Sequence, residues 1–188
     1  MKQPLDHFLD IGLILALFVF SIASGCSQSY ALDVSYIGNS ISYHNSDTLD
    51  VAGTNDRVIA NERHPGLGFI IDNHRGWGVM YYMTQNSYSE SSTIVAIRKK
   101  HRFSLEHVSN GWFYESSVNI GTASGYGKAD INEKFKFGSN IPFFSVNSTL
   151  VKQIVPGALE GFINMSILPG KTTAAVFNFG ITFNNVQY

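Results

Sequence analysis

Cysteine is almost absent: Cys26 is the single thiol in 188 residues. One thiol cannot close a disulfide within the chain, and its loss or modification would leave no sulfur site for a metal. Charge is scarce too, at 14% of residues and a net −1. A partner that reads phosphate backbones needs a basic face, so nucleic acid is not expected. The one basic run, Arg98-Lys99-Lys100-His101-Arg102, reads as a solvated strand end. The six histidines show no paired metal spacing, and no glycine-rich phosphate loop follows a strand, so neither a metal nor a nucleotide cofactor is expected. Long apolar runs are missing as well. The uninterrupted stretch at 11–23 has thirteen residues, whereas a membrane helix needs roughly twenty.

What is present favours strands and turns. Aromatics make up 13% of the chain, with fourteen Phe, nine Tyr and seventeen Gly. The length suits one domain large enough to enclose a core or close a barrel.

The N-terminus has the layout of an export signal over residues 1–31: Lys2, the apolar run, then small and polar residues. Ser29-Tyr30-Ala31 offers small residues for cleavage before Leu32, and Ala23-Ser24-Gly25-Cys26 offers a lipobox that would anchor the protein through Cys26. Both readings export the chain and leave residues 32–188 as one domain. Cleavage before Leu32 leaves twelve charges of each sign, a neutral chain suited to a membrane-facing protein.

Hydrophobic alternation of period two runs through this remainder. At 34–44, Ile37, Ile41 and Tyr43 read as outward, which turns His44 inward. Residues 45–60 are rich in turn formers and read as a long loop. Leu67, Phe69 and Ile71 alternate before the Asp72-Asn73-His74-Arg75-Gly76 reversal, and 77–85 is apolar on both faces. A strand of that kind separates lipid, or another sheet, from an apolar interior, and suits a barrel holding a hydrocarbon chain better than one conducting water. Further strands are expected at 93–97, 102–108, 112–122, 143–151 and 162–168, with a loop at 128–138 and turns at Pro156-Gly157 and Pro169-Gly170. In the last strand Ala175, Phe177, Phe179, Ile181 and Phe183 share one face, and Val176, Asn178, Gly180 and Thr182 the other. Such a strand fits a transmembrane β-strand. The expected fold is all-β, an eight-stranded antiparallel up-and-down β-barrel; a β-sandwich would share the same alternation.

Three motifs, in order, resemble the lipid A palmitoyltransferase (PagP) family of eight-stranded outer-membrane barrels. Asn61-Glu62-Arg63 followed by Pro65-Gly66-Leu67-Gly68-Phe69 is similar to that family's Asn-Glu-Arg and glycine-rich strand. The aromatic strand at 77–85 leads into Asn86-Ser87, and Asn164-Met165-Ser166-Ile167-Leu168-Pro169-Gly170 precedes a closing aromatic strand. Ile41-Ser42-Tyr43-His44 resembles the family's Ile-Thr-Trp-His.

The resemblance implies a monomeric enzyme of the cell outer membrane that moves an acyl chain from a phospholipid to lipid A. It places His44 as base and Ser87 as its partner, with Asn86, standing where the family has aspartate, polarising the pair. The chain departs from the family in three respects. Asn86 carries no charge, twelve residues between the cleavage site and His44 leave no room for the family's amphipathic helix, and Arg98 falls near the barrel floor, a poor residue for an apolar pocket. The alternative is a non-enzymatic barrel, or a secreted or lipid-anchored β-protein, that binds lipid or modifies the envelope. Two other histidines need placing. His64, beside Pro65, reads as a turn residue, and His107-Val108-Ser109-Asn110 is similar to the His-x-Ser-Asn of lipid A 3-O-deacylases.

Overall fold

The computed structural model describes residues 32–51, 53–105, 107, 109–127, 140–168 and 174–186. The export segment with Cys26, the 128–138 loop and the Pro169-Gly170 turn lie outside the described residues.

Eleven strands follow one another: β1 (Leu32–His44), β2 (Thr48–Asp50), β3 (Arg57–Ile59), β4 (Arg63–His64), β5 (Gly66–Asn73), β6 (Trp77–Gln85), β7 (Ser91–Ser104), β8 (Trp112–Ala123), β9 (Ile141–Val155), β10 (Leu159–Leu168) and β11 (Ala174–Val186). Eight of them, β1 and β5 to β11, pair antiparallel with their sequence neighbours, and β11 returns to pair with β1. The sheet therefore closes and leaves no open edge in the barrel wall. The barrel is as expected, and a sandwich is excluded because the first and last strands are hydrogen-bonded together.

Three local expectations are corrected. Residues 45–60 contain the β2–β3 hairpin, paired Thr48 to Ile59 and Asp50 to Arg57. The strands expected at 93–97 and 102–108 are one strand, β7, which runs unbroken through the basic run and pairs with β8 as far as Ser104. The third concerns β1, where Tyr36 points out and Ile37 is buried. Between Ile37 and Ser40 the register against β11 slips, so that three steps on β1 match two on its partner. This bulge reverses the phase of the pleat, so Ile41 and Tyr43 face outward as expected while Ser40, Ser42 and His44 point inward.

The exterior is apolar. Phe177, Phe179, Ile181 and Phe183 on β11 are exposed, as are Ile163 and Ile167 on β10, Ile120 on β8 and Leu67 on β5. At the end of the barrel where β1 starts, Lys99 lies 5.0 Å over the Trp77 ring and Lys152 5.3 Å over Trp112. Such aromatic and cationic pairs suit a membrane boundary.

The interior has two walls. Ile37, Ile70, Met80, Tyr82 and Ala96 form an apolar cluster on β1, β5, β6 and β7, with Ile94, Phe143 and Phe162 packed against it. Buried Ser117, Asn119, Ser145, Asn147, Thr149 and Ser166 line β8, β9 and β10. The apolar interior expected from β6 thus covers one side only. The basic run is also not solvated as expected: Arg98, Lys100 and Arg102 alternate into the lumen and meet Asp72, Glu115 and Glu160, while His101 stays exposed.

Candidate functional site

The barrel has two unlike ends. Turns 74–76, 105–111 and 156–158 gather at the end where β1 starts and β11 finishes. The opposite end carries the longer connections, including the β2–β3 hairpin and the segment between β8 and β9. His44, the last residue of β1, lies at this loop end, as does Ser87, in the turn between β6 and β7.

The local chemistry of each element brings them together. Tyr82, inward on β6, donates its hydroxyl to the Gly38 carbonyl at 2.9 Å and lies 3.1 Å from Ser40 Oγ, holding the β1 bulge from across the wall. Its ring needs Gly68 beside it, because a Cβ there would come within 2.6 Å of ring carbon Cδ2. Residues 61–64 run beside the upper part of β1: His64 pairs with Ser40, and the Ser42 N–H donates to the Glu62 carbonyl at 2.8 Å. On the other side, the Asn61 N–H donates to the Ser87 carbonyl at 2.9 Å. The Asn-Glu-Arg segment is thus a strip that fixes the histidine strand and the serine turn relative to each other.

Side chains then form a continuous chain of hydrogen bonds. His64 Nδ1 lies 2.8 Å from the Gln85 carbonyl, which only accepts, so Nδ1 carries the proton. Burial lowers the pKa of His64, against the raising effect of this bond, so the ring is neutral and Nε2 is an acceptor. Ser42 Oγ, 2.6 Å away, donates to it. The same oxygen is 3.4 Å from His44 Nδ1 and accepts there. His44 Nε2 is left bare, 2.9 Å from Ser87 Oγ. This is the arrangement of a hydroxyl beside a base whose far nitrogen is held by a third group.

The structure brings His44 and Ser87 together but gives Asn86 another task. Its Oδ1 accepts the N–H groups of Tyr88 at 2.9 Å and Glu90 at 3.0 Å, and its Nδ2 donates to the Gly125 carbonyl at 2.6 Å. Asn86 folds the turn, and the groups that reach the His44 ring from behind are Ser42 and, through it, His64. His64 was read as a turn residue, yet it is 6% exposed and inside the network. Ser42 could have been found, since it lies two residues before His44 on the same face of the pleat. His64 had no local signal, because only the pairing of β4 with β1 brings it in. His107 is exposed in the β7–β8 connection, at the opposite end from His44.

Around the pair, Tyr126 stands edge-on to Tyr88, centroids 6.4 Å apart, and burial with the neighbouring Tyr88 pushes its hydroxyl up to about 12. Tyr88 also donates to the Asp50 carbonyl at 3.2 Å, tying the β2–β3 hairpin to the serine turn. A cavity of about 120 Å³ reaches from His64, Ser87 and Tyr126 down to Arg98 and Glu160. Among the described residues, no group of three or more His, Cys, Asp or Glu is placed to hold a metal.

No family model matches the sequence. No curated protein matches it significantly either. Solved structures do resemble it. The N-terminal β-barrel domain of Pseudomonas aeruginosa OprF aligns with a TM-score of 0.51 at 8% identity, over 84% of this chain and 99% of that one. Ail, the attachment invasion locus protein of Yersinia pestis, aligns at 0.46 with 11% identity over the same shares, and its complex with the heparin analogue sucrose octasulfate at 0.44. At such identities the OprF match bears on the fold alone, and it agrees with the closed eight-stranded barrel.

Proposed function

We propose that this chain is a PagP-like outer-membrane β-barrel that transfers an acyl group from a phospholipid to lipid A. The reading rests on the 2.9 Å contact between His44 Nε2 and Ser87 Oγ, with the histidine oriented by Ser42. A closed barrel with an apolar exterior satisfies its backbone within the wall and suits a lipid bilayer. Short turns at one end and longer connections at the other are the outer-membrane pattern, which puts the His44 and Ser87 end outside the cell.

In this reaction Ser87 Oγ attacks the phospholipid ester carbonyl and His44 Nε2 takes its proton. The ester C–O bond breaks, the proton passes to the departing lysophospholipid oxygen, and the acyl group rests on Ser87. A lipid A hydroxyl then attacks this acyl-serine, giving its proton to His44, which returns it to Ser87. The acyl chain lies against the apolar wall of Ile70, Met80, Ile94 and Phe162, above Arg98. The protein acts as a monomer and uses no cofactor.

Mass spectrometry of lipid A from cells expressing the chain tests this. The expected result is an added acyl mass that disappears in Ser87→Ala and His44→Ala while the barrel still migrates heat-modifiably. No added mass, or one that survives both replacements, overturns the proposal and favours the second reading, a non-enzymatic barrel that binds lipid. What supports that second reading is Asn86, whose amide is committed to the turn and supplies no charge to His44.

A further inference from the structure

Ser87 and His44 supply a nucleophile and a base, but acyl transfer also needs a donor for the negative charge that forms on the ester oxygen. The side-chain donors around Ser87 are committed elsewhere. Asn86 Nδ2 donates to the Gly125 carbonyl at 2.6 Å, and Gln85 Nε2 to the Ser89 carbonyl at 3.0 Å. Asn61 Nδ2 donates to Gln85 Oε1 and to the Asn86 carbonyl, each at 3.4 Å, and Tyr88 donates to the Asp50 carbonyl. Tyr126 borders the same cavity as Ser87, and its hydroxyl makes no hydrogen bond to any other described residue.

Tyr126 is fixed in place from two sides. It follows β8 in a segment laid across the start of β7: the Ser124 N–H donates to the Thr93 carbonyl at 2.9 Å, the Thr93 N–H to Ser124 Oγ at 2.9 Å, and Ser92 Oγ to the Ser124 carbonyl at 2.7 Å. Gly125 then turns the chain at a φ of +80°, where a Cβ would also collide with the Ser91 carbonyl oxygen, so only glycine fits. The Asn86–Gly125 bond joins the residue before Ser87 to the residue before Tyr126, and the ring contact of Tyr88 with Tyr126 joins the residue after Ser87 to Tyr126 itself. The two contacts bracket Ser87. The Tyr126 ring lies deep among protein atoms, yet part of its surface opens on the cavity. Burial beside Tyr88 pushes the phenol up to about 12, so at neutral pH it keeps its proton and stays a donor.

We infer that Tyr126 is the oxyanion donor of this site, a third catalytic residue beside His44 and Ser87. When Ser87 Oγ bonds to the ester carbonyl carbon, the C=O π pair moves onto the oxygen, and the Tyr126 O–H donates a hydrogen bond to it without giving up its proton. The pair returns as the C–O bond to the lysophospholipid breaks, and the departing oxygen takes the proton held by His44. The same oxygen anion forms again when a lipid A hydroxyl attacks the acyl group on Ser87. One donor thus serves both half-reactions. This inference rests on the acyl-transfer reading of the site.

The test uses the refolded chain in micelles with a p-nitrophenyl ester of a fatty acid, laurate or palmitate, as acyl donor. Release of p-nitrophenolate gives the rate, and mass spectrometry locates the acyl group. Wild type is expected to acylate Ser87. Tyr126→Phe keeps the ring against Tyr88 and should lower the maximal rate of acylation about a hundredfold, the effect of removing one oxyanion donor, with the half-saturating ester concentration unchanged. Heat-modifiable migration and amide exchange at Tyr88 should match wild type. An equal maximal rate in the two proteins overturns the role of Tyr126 alone, because Ser87 is still acylated. A loss confined to the half-saturating concentration overturns it as well, since a contact made equally with bound ester and transition state leaves the maximal rate untouched. Altered migration or altered Tyr88 exchange in Tyr126→Phe makes the hydroxyl a structural group and overturns the inference. A folded wild type that places no acyl group on Ser87 overturns the acyl-transfer reading and this inference together.

Discussion

Tyr82 on β6 donates its hydroxyl to the backbone carbonyl of Gly38 on β1 at 2.9 Å, and this bond holds the bulge that turns His44 into the barrel. An aromatic of the lumen wall thereby governs which way the end of β1 that carries His44 faces.

Tyr82→Phe keeps the ring but leaves the Gly38 carbonyl without its donor. The expected cost is about 1–3 kcal/mol of stability, read as a lower urea midpoint for the refolded barrel in micelles. Acyl transfer should fall further than the stability loss alone explains, because Ser42 and His44 follow the bulge. Full activity with an unchanged midpoint would remove Tyr82 from this role.

Ser42→Ala takes away the group between the two histidines. With the His44–Ser87 contact retained, the rate of acyl transfer is expected to drop about tenfold to a hundredfold, less than for Ser87→Ala. His64→Ala should resemble Ser42→Ala, and the double variant should be no worse than either single one, since both remove the same orientation. Additive losses would mean that the two act separately.

Asn86→Ala removes side-chain bonds to Tyr88, Glu90 and Gly125. Loosening of the 86–90 turn is expected, by about 1–3 kcal/mol, seen as faster amide exchange at Tyr88 and Glu90. Loss of acyl transfer without any change in amide exchange would restore a direct chemical role to Asn86.

His64 sets a pH limit. Burial lowers its folded pKa below the ordinary 6.5, so the folded state binds fewer protons there than the unfolded chain. The stabilising effect is complete above 6.5 and is lost as pH falls through that value toward the folded one. Protonation puts a donor on Nε2 opposite the Ser42 hydroxyl and disturbs the network. NMR titration of ring-labelled histidine should show His64 changing charge below 6.5, with Ser42→Ala weakening the linkage of this event to His44. A midpoint above 6.5 would contradict the network as drawn.

Phe179 and Ile163 face each other outward across β10 and β11 and are among the most exposed apolar side chains. Phe179→Arg is expected to destabilise the barrel in bilayers by about 2–4 kcal/mol, as at a membrane midplane. The measurement is folding into phospholipid vesicles. An effect near zero would mean that this face does not meet lipid.

Period two was enough to specify strands, and turn residues specified where most of them end. The alternation in β11 fixed its outward face from Ala175 to Phe183, because the pleat is a local property. The pairing of His44 with Ser87 as candidates came from resemblance, and their contact could not be read across a separation of 43 positions. Three features depended on the closed sheet. The slip between Ile37 and Ser40 reversed the phase of β1, which no count of alternating residues records, since a bulge is defined by its partner strand. The pairing of β4 with β1 brought in His64. The basic run resembled a solvated strand end because its counter-charges, Asp33, Asp72, Glu115 and Glu160, come from four other strands. Local sequence thus determined how each strand is pleated, and barrel closure decided which polar groups face one another across the lumen.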